Sequence, residues 1–390
     1  MIKVLVYYNF SYPLGGGDYL PLTFIRELQN KASVTLAVDS TTGFERALKC
    51  FDVQIDRTRL NIVQLMPHEY IAGKHTGRHS FKRNVKLKKL AEDADICISA
   101  SNVIDFGRPA HHFINFLCGV DKKFTANTNH VRPTRAPIAQ QCKHFISEYL
   151  LRPLLNMRSK RRIIRDPREH IYPPSAYVRD LMTDFYGPFN GEIFYPPTTF
   201  EPLSDNVEKE PLRVVYLGRI NPEKRIPDIC DIVEKARNLS GKDLKLIIAG
   251  PYDKNSAAVN NLLSYIRQRP WISLLDGAFG EEKSKLLHSG TYAVHARRNE
   301  EFGISITEYL KAGLIPIVPD EGGSREVVDA PDLTYSDNDM AAKILVRLLT
   351  DAEFREQQRR HCAERAKVFS RENYFARQTE LLDKILAEAE

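Results

Sequence analysis

Residues 299–319, NEEFGISITEYLKAGLIPIVP, decide the fold. GISITEYLKAG reads as a short helix closed by Gly313. LIPIVP reads as a buried strand, because a short apolar run between turn residues suits the inside of a parallel sheet. Helix followed directly by strand is one unit of an α/β layer structure. Glu300 and Glu308 bracket Gly303, the glycine that opens the helix. A core helix needs no pair of carboxylates at its mouth, whereas an anion site with neutral hydroxyls beside it does. The structural alternative makes Glu300 and Glu301 first-turn acids that complement the helix dipole, with Glu308 at the surface.

The same alternation runs outward from this stretch. LRVVYLGR, LKLIIAG, WISLLDGAF and TYAVHAR read as strands, and IPDICDIVEKARNL, VNNLLSYIRQRP and EEKSKLLHSG as helices between them. The first half repeats the pattern with KVLVYYNF, SVTLAVD, DICISAS and KKFTANTNH as strands, and with YLPLTFIRELQNK and SFKRNVKLKKLAEDA as helices. A polar, proline-bearing stretch around 198–212 separates the halves. The expectation is an α/β chain of two Rossmann-like, doubly wound parallel-sheet domains, 1–198 and 199–368. A C-terminal helix, 369–390, is expected to pack back on the first. Two such domains in tandem predict a cleft with strand ends and helix N-termini facing into it.

Composition narrows the classes. Six cysteines with no C-x-x-C pair favour reduced thiols in a cytoplasmic setting over a disulfide framework or a zinc site. No apolar run is long enough for a membrane span, and MIKVLVYYNF reads as a first strand rather than a leader peptide. The net charge of +6 is uneven: residues 1–200 hold 28 Lys and Arg against 18 Asp and Glu, and residues 201–390 hold 28 against 32. The first half therefore favours anionic partners. The excess sits in KHTGRHSFKRNVKLKK (74–89) and RSKRRIIRDPR (158–168). These read as solvated helix faces or as contacts with an anionic membrane face. Aromatics are not interleaved with them, so nucleic acid is not expected. Phe106, Phe113, Phe116 and Tyr149 read as core.

In YLGRINPEKR a strand end delivers Arg219, and the next turn brings Lys224 alongside. Two fixed cations neutralise a diphosphate, and arginine grips oxygens bidentately; a solvated basic turn is the structural alternative. Gly303 leaves the helix mouth bare for an anion. Glu308, about one turn into the helix, is placed to accept from hydroxyls such as a ribose diol, and Glu300 to serve another sugar. SYPLGGGDYL sets three glycines between a strand and a helix, either as a close approach to a phosphate or as a plain tight turn. His111 and His112 are adjacent and so point apart; neither fits a metal-ligand spacing, and both read as packing or surface residues. DAD (93–95) and DND (337–339) read as caps or surface features rather than metal sites.

With these residues in order, the second half resembles the donor domain of the family-4 retaining glycosyltransferases of GT-B fold. The resemblance covers about residues 195–385. It rests on FYPPTTF, GRINPEK, LKLIIAG, ISLLDGAFGEEKSKLL, the E-x7-E pair Glu300 and Glu308, KAGLIPIVPDEGGSREVV and FSRENYFARQTELL. It implies that Arg219 and Lys224 hold a diphosphate and that Glu308 binds the ribose. Glu300 contacts the transferred sugar with the backbone N–H groups of Phe302, Gly303 and Ile304. Gly277, Ala278 and Phe279 lie near the base. Gly16 and Gly17 contact donor phosphate or acceptor, as the family's glycine loop does, and His130 stands where relatives carry a histidine near the sugar. The implied activity is transfer of a hexose-type sugar from a UDP- or GDP-sugar, UDP being the commoner donor, to a glycan or lipid-linked hydroxyl. No metal or other cofactor is expected, and the setting is cytoplasmic or the cytoplasmic face of a membrane. A sugar-nucleotide epimerase of the same fold and a non-catalytic binding protein are the alternatives. Acceptor identity and oligomeric state stay open.

Overall fold

The computed structural model describes residues 1–390 except 11–13, 67–76, 116–123, 126–133, 136, 137, 139–141, 143, 144, 201–207, 279 and 390. The side chains of 77–80, 124, 125, 134, 135, 147–149 and 153 are likewise outside the description. The described residues form two compact units. One is built on Met1–Ala126, Arg132–Pro197 and Tyr374–Glu390, the other on Thr198–Asn373.

The first unit holds a six-stranded parallel sheet of β1 (Lys3–Tyr8), β2 (Ser33–Val38), β3 (Leu60–Gln64), β4 (Ile96–Ser99), β5 (His111–Phe113) and β6 (His170–Tyr172), in the order β3-β2-β1-β4-β5-β6. Val4, Val6, Leu36, Val38 and Ile98 put apolar side chains on one face, where α1 (Tyr19–Leu28) and α2 (Thr41–Phe51) cover them. The last helix of the chain, Arg371–Ala387, adds Leu381, Leu382, Ile385 and Leu386 to the same core. Gln378 fixes it there by donating to the Thr23 carbonyl at 3.2 Å.

One reading of the first half needs correction. Of KKFTANTNH only Phe124 and Thr125 are described, and they pair antiparallel with Thr134–Arg135 in a two-stranded sheet apart from the six-stranded one. The fifth and sixth places go to the three-residue strands β5 and β6. Their histidines are compatible with burial because each finds a polar partner, Tyr172 Oη at 3.1 Å for His111 Nδ1 and Glu169 at 2.9 Å for His112 Nε2. The basic segments are in part the solvated faces expected, with Lys82, Lys89 and Arg168 exposed, and in part committed to partners. In the helix α3 (Gly77–Glu92), Arg83 pairs with Asp39, Lys86 donates to the Leu65 carbonyl, and Lys88 pairs with buried Asp105. Arg158 is bound to Asp105 and Glu169. Arg161, Arg162 and Arg165 remain exposed, around buried Ile163 and Ile164. Phe106 and Phe113 are core; Phe116 and the Tyr149 side chain lie outside the described residues.

The second unit repeats the plan with β7 (Arg213–Leu217), β8 (Lys245–Gly250), β9 (Ile272–Asp276), β10 (Tyr292–Val294), β11 (Ile315–Pro319) and β12 (Thr334–Tyr335). Its order is β9-β8-β7-β10-β11-β12, all parallel. Both sheets thus follow the dinucleotide-fold order in which the direction of winding reverses between the first and fourth strands. The helix α4 (Ile304–Lys311) is tied to the end of β7 by Tyr309. Its hydroxyl accepts from the Leu217 amide at 2.6 Å and donates to the Leu217 carbonyl at 3.2 Å.

Candidate functional site

Two loops leave the carboxyl ends of the neighbouring strands β7 and β10, where the strand order reverses and open parallel sheets present their ligand sites. After β7 the chain makes a short turn at Pro222–Lys224. Asn221 caps it by accepting from the Lys224 amide at 3.2 Å, and the proline supplies a preset φ at the first position. Arg219 is left exposed and Lys224 turned inward.

After β10 come His295, Arg297, Glu300 and Glu301, and Glu300 gathers the cluster. Lys224 Nζ lies 2.6 Å from its Oε2, His295 Nε2 3.2 Å from the same oxygen, and Arg297 3.4 Å from Oε1. Burial alone raises a carboxyl pKa, but Lys224, Arg297 and His295 together outweigh it and hold Glu300 well below the usual carboxylate range. Burial keeps His295 neutral, against the pull of Glu300, so its Nε2–H donates to the carboxylate. Glu301 moves the other way, raised by burial although Arg297 lies 3.1 Å from it. The turn after β11 grips the backbone of this loop: the Gly323 amide donates to the Glu300 carbonyl at 2.7 Å. Gly322 has φ +75°, and a Cβ there would lie 2.6 Å from the Arg298 carbonyl oxygen, so only glycine fits.

Gly303 caps α4 in the left-handed region at φ +101°, again a glycine position. The first amides of α4 have no partner within the helix, the arrangement that suits an anion. Glu308 is buried rather than at the surface, which removes that alternative. Its Oε1 accepts from Lys283 Nζ at 2.9 Å and from Thr199 Oγ1 at 3.1 Å. Lys283 belongs to the helix Gly280–Ser289, which starts just past Gly277 and Ala278. Gly277 has φ +84° and Ala278 is buried. Phe302 is buried beside the mouth.

Arg219, Lys224, Glu300, Glu308, Phe302, Gly303, Ile304, Gly277 and Ala278 therefore all belong to the second unit, with Lys224 and Glu300 in direct contact. Phe279 and His130 lie outside the described residues. Gly16 begins the turn Gly16–Asp18 in the first unit, which leads into α1. A Cβ at Gly15 or Gly17 would meet nothing within 4 Å, so packing does not demand glycine there and the backbone is left bare. His295, Arg297, Lys283 and Thr199 escaped the sequence reading. His295 had one usable signal, its place at a strand end just before two arginines and two glutamates. Lys283 and Thr199 had none, being 25 and 109 residues from Glu308. DAD and DND behave as structural features: Asp95 accepts from the Lys3 amide at 2.7 Å, and Asp337 caps the helix Asn338–Thr350.

Residues 200–368 match the family described as Glycosyl transferases group 1. Among curated proteins, the chain is similar to "GDP-Man:Man(3)GlcNAc(2)-PP-Dol alpha-1,2-mannosyltransferase" of Yarrowia lipolytica, 28% identical over 34% of this chain and 24% of that protein. It is similar to the protein so named from Xenopus laevis at 30% identity, over 36% of this chain and 31% of that one. The aligned stretch thus spans about a quarter to a third of these relatives. Among solved structures, a sucrose-phosphate synthase from Thermosynechococcus elongatus superposes with TM-score 0.71 at 13% identity, over 100% of both chains. WaaG, a glycosyltransferase involved in lipopolysaccharide biosynthesis, superposes with TM-score 0.64 at 13% identity, over 97% of this chain and 99% of that one. The fold is that of the GT-B glycosyltransferases.

Proposed function

We propose that the chain is a retaining, metal-independent glycosyltransferase of the family-4 type, transferring mannose or a similar hexose from a GDP-sugar to a hydroxyl of a lipid-linked glycan. The observation that carries the reading is the buried Lys224–Glu300 contact of 2.6 Å at the reversal point of the sheet, beside the open mouth of α4. GDP replaces UDP as the first candidate because the curated relatives are named for GDP-Man, although they align over a third of their length or less.

In this reading Arg219, Lys224 and the helix mouth neutralise the diphosphate, and Glu300, held ionised, accepts hydrogen bonds from hydroxyls of the sugar. Fixed cations aimed at developing charge supply the largest catalytic term. The bond from the anomeric carbon to the phosphate oxygen breaks as the acceptor oxygen bonds on the same face. The acceptor's proton passes to the leaving phosphate oxygen. Glu300 donates no proton, because Lys224, Arg297 and His295 keep it a carboxylate.

A panel of GDP- and UDP-sugars, with EDTA present, tests this. Release of the nucleoside diphosphate from one donor, with the anomeric configuration of the product unchanged, is expected. Failure to bind or cleave any of them refutes it, and an epimerised sugar nucleotide identifies the alternative reaction. Peripheral contact with an anionic membrane belongs to the same proposal. Exposed Phe145, Ile146, Leu150, Leu151 and Leu154 precede exposed Arg161, Arg162 and Arg165, pairing apolar with basic surface in one segment. Sedimentation with vesicles rich in phosphatidylserine but not with neutral vesicles is the expected result.

A further inference from the structure

We infer that Lys283 is a positioning residue for the nucleotide: with Thr199 it fixes one oxygen of Glu308 so that the other reads the ribose hydroxyls. The inference rests on the donor reading above and adds to it a group that sets nucleotide affinity and ribose selectivity.

The three groups close a triangle. Lys283 Nζ lies 2.9 Å from Glu308 Oε1 and 2.9 Å from Thr199 Oγ1, and Thr199 Oγ1 lies 3.1 Å from the same Oε1. The side chains of Lys283 and Glu308 are 12% and 6% exposed, so the pair is largely withdrawn from water. Removing a carboxylate from water is costly unless a counter-charge and hydrogen bonds compensate it. Lys283 is that counter-charge, and both interactions fall on Oε1. Two donors on one oxygen fix the plane of the carboxylate and direct Oε2 elsewhere.

The charge arithmetic points the same way. A lone buried carboxylate beside a diphosphate repels it, and low polarity around the pair strengthens that repulsion. An ion pair presents no net charge while keeping a strong acceptor for hydroxyl groups. Position agrees as well. Lys283 sits one turn into the helix that begins at Gly280, just past the loop residues Gly277 and Ala278. Its ammonium therefore links the helix that follows this loop to α4, the helix that carries Glu308. Thr199 comes from the segment that enters the second unit, where Phe200 is fully buried and Lys311 of α4 donates to the Phe200 carbonyl at 2.6 Å. The clamp is thus anchored at both ends.

Calorimetric titration of tag-free protein with GDP, UDP and their 2′-deoxy counterparts tests the inference. Wild type is expected to bind one ribonucleoside diphosphate and to bind its 2′-deoxy form about tenfold more weakly, the worth of one charge-assisted hydrogen bond. Lys283→Met is expected to lose about tenfold in affinity for the ribonucleotide and to lose the preference for ribose over deoxyribose. Lys283→Arg, which keeps the charge and donors, restores part of both, and Thr199→Val falls between wild type and Lys283→Met. Should Lys283→Met fail to fold, judged by circular dichroism, Thr199→Val and Lys283→Arg carry the test. Wild-type affinity and wild-type ribose preference in the variants overturn the inference while leaving the donor reading intact. Weakened binding with the ribose preference unchanged overturns it too, because Lys283 then acts only as a general cation. Absence of nucleotide binding by wild type sinks the donor reading and the inference with it.

Discussion

Two buried ion clusters, one in each unit, are built from the same residue types yet lie at opposite ends of their sheets. In the first unit, Glu169 accepts from the Ala110 amide and pairs with His112 and Arg158. Arg158 in turn pairs with Asp105, and Asp105 with Lys88. Glu169 immediately precedes β6 and Ala110 precedes β5, so this network ties together the amino ends of two strands. In the second unit, Lys224, Glu300, His295 and Arg297 occupy the loops after the carboxyl ends of β7 and β10. In the first network the Asp105 and Glu169 side chains are at 0% exposure, while Lys88 and Arg158 reach the surface with 22% and 23% of theirs. The second stands next to an exposed arginine and a helix mouth. Burial and charge therefore do not by themselves mark a reaction centre. The end of the sheet is the better guide, because open parallel sheets bind their ligands at the carboxyl rim.

The comparison breaks most easily at Lys224. Lys224→Ala is expected to lower turnover by about 10³-fold, read as product formed per folded molecule. The melting temperature is expected to stay close to wild type, because Arg297 and His295 still hold Glu300. A large loss of stability with turnover preserved would make this cluster structural, like its counterpart.

The complementary change lies in the first unit. Glu169→Gln leaves Arg158 and His112 without their buried carboxylate and is expected to cost about 3 kcal/mol of stability, measured by urea unfolding. Turnover per folded molecule should not change. A selective loss of turnover would assign the amino-end network to the reaction.

The contrast also explains what the sequence could reveal. Strands such as Val214–Leu217 and Ile315–Pro319 were legible because an apolar run between turn residues has few other structural uses. β5 and β6 were not: three residues containing histidine give no period, and their burial depends on Tyr172 and Glu169 elsewhere in the chain. Within the site, Arg219, Lys224, Glu300 and Glu308 were legible because each follows a strand end or opens a helix. What that reading left out was pairing. Lys224 meets Glu300 across 76 residues and Lys283 meets Glu308 across 25, distances at which no local pattern survives. Charge counting could not show, for the same reason, that Lys88 and Arg158 are committed to interior carboxylates while Lys82, Lys89 and Arg168 stay exposed.

A smaller effect separates the two clusters' surroundings by pH. Burial, with His170, His112 and Lys384 nearby, lowers the His111 pKa to about 3, outweighing Glu388 at 3.3 Å. The unfolded chain takes up a proton near the ordinary histidine value, whereas the folded one does not until about pH 3. Stability is therefore complete above pH 6.5 and declines as pH falls through that window, by up to about 1.4 kcal/mol per pH unit. Urea midpoints at pH 7 and pH 5 should show the decline in wild type and a shallower one in His111→Gln. Equal slopes would mean that His111 is charged in the folded state.

The smallest expected effect concerns Asp337, the first acid of DND. Its carboxylate accepts from the Met340 amide at 2.8 Å, and Asp339 of the same triplet pairs with Lys235 at 2.7 Å. Both acids are thus engaged in starting one helix and fastening it to another, with the geometry of a cap. Asp337→Ala should lower the melting temperature slightly and leave turnover unchanged, with or without EDTA. Turnover that requires added Mn²⁺ and disappears in Asp337→Ala would transfer the neutralisation of the diphosphate from Arg219 and Lys224 to a metal. The carboxyl-end cluster of the second unit would then lose the property that sets it apart from the amino-end network of the first.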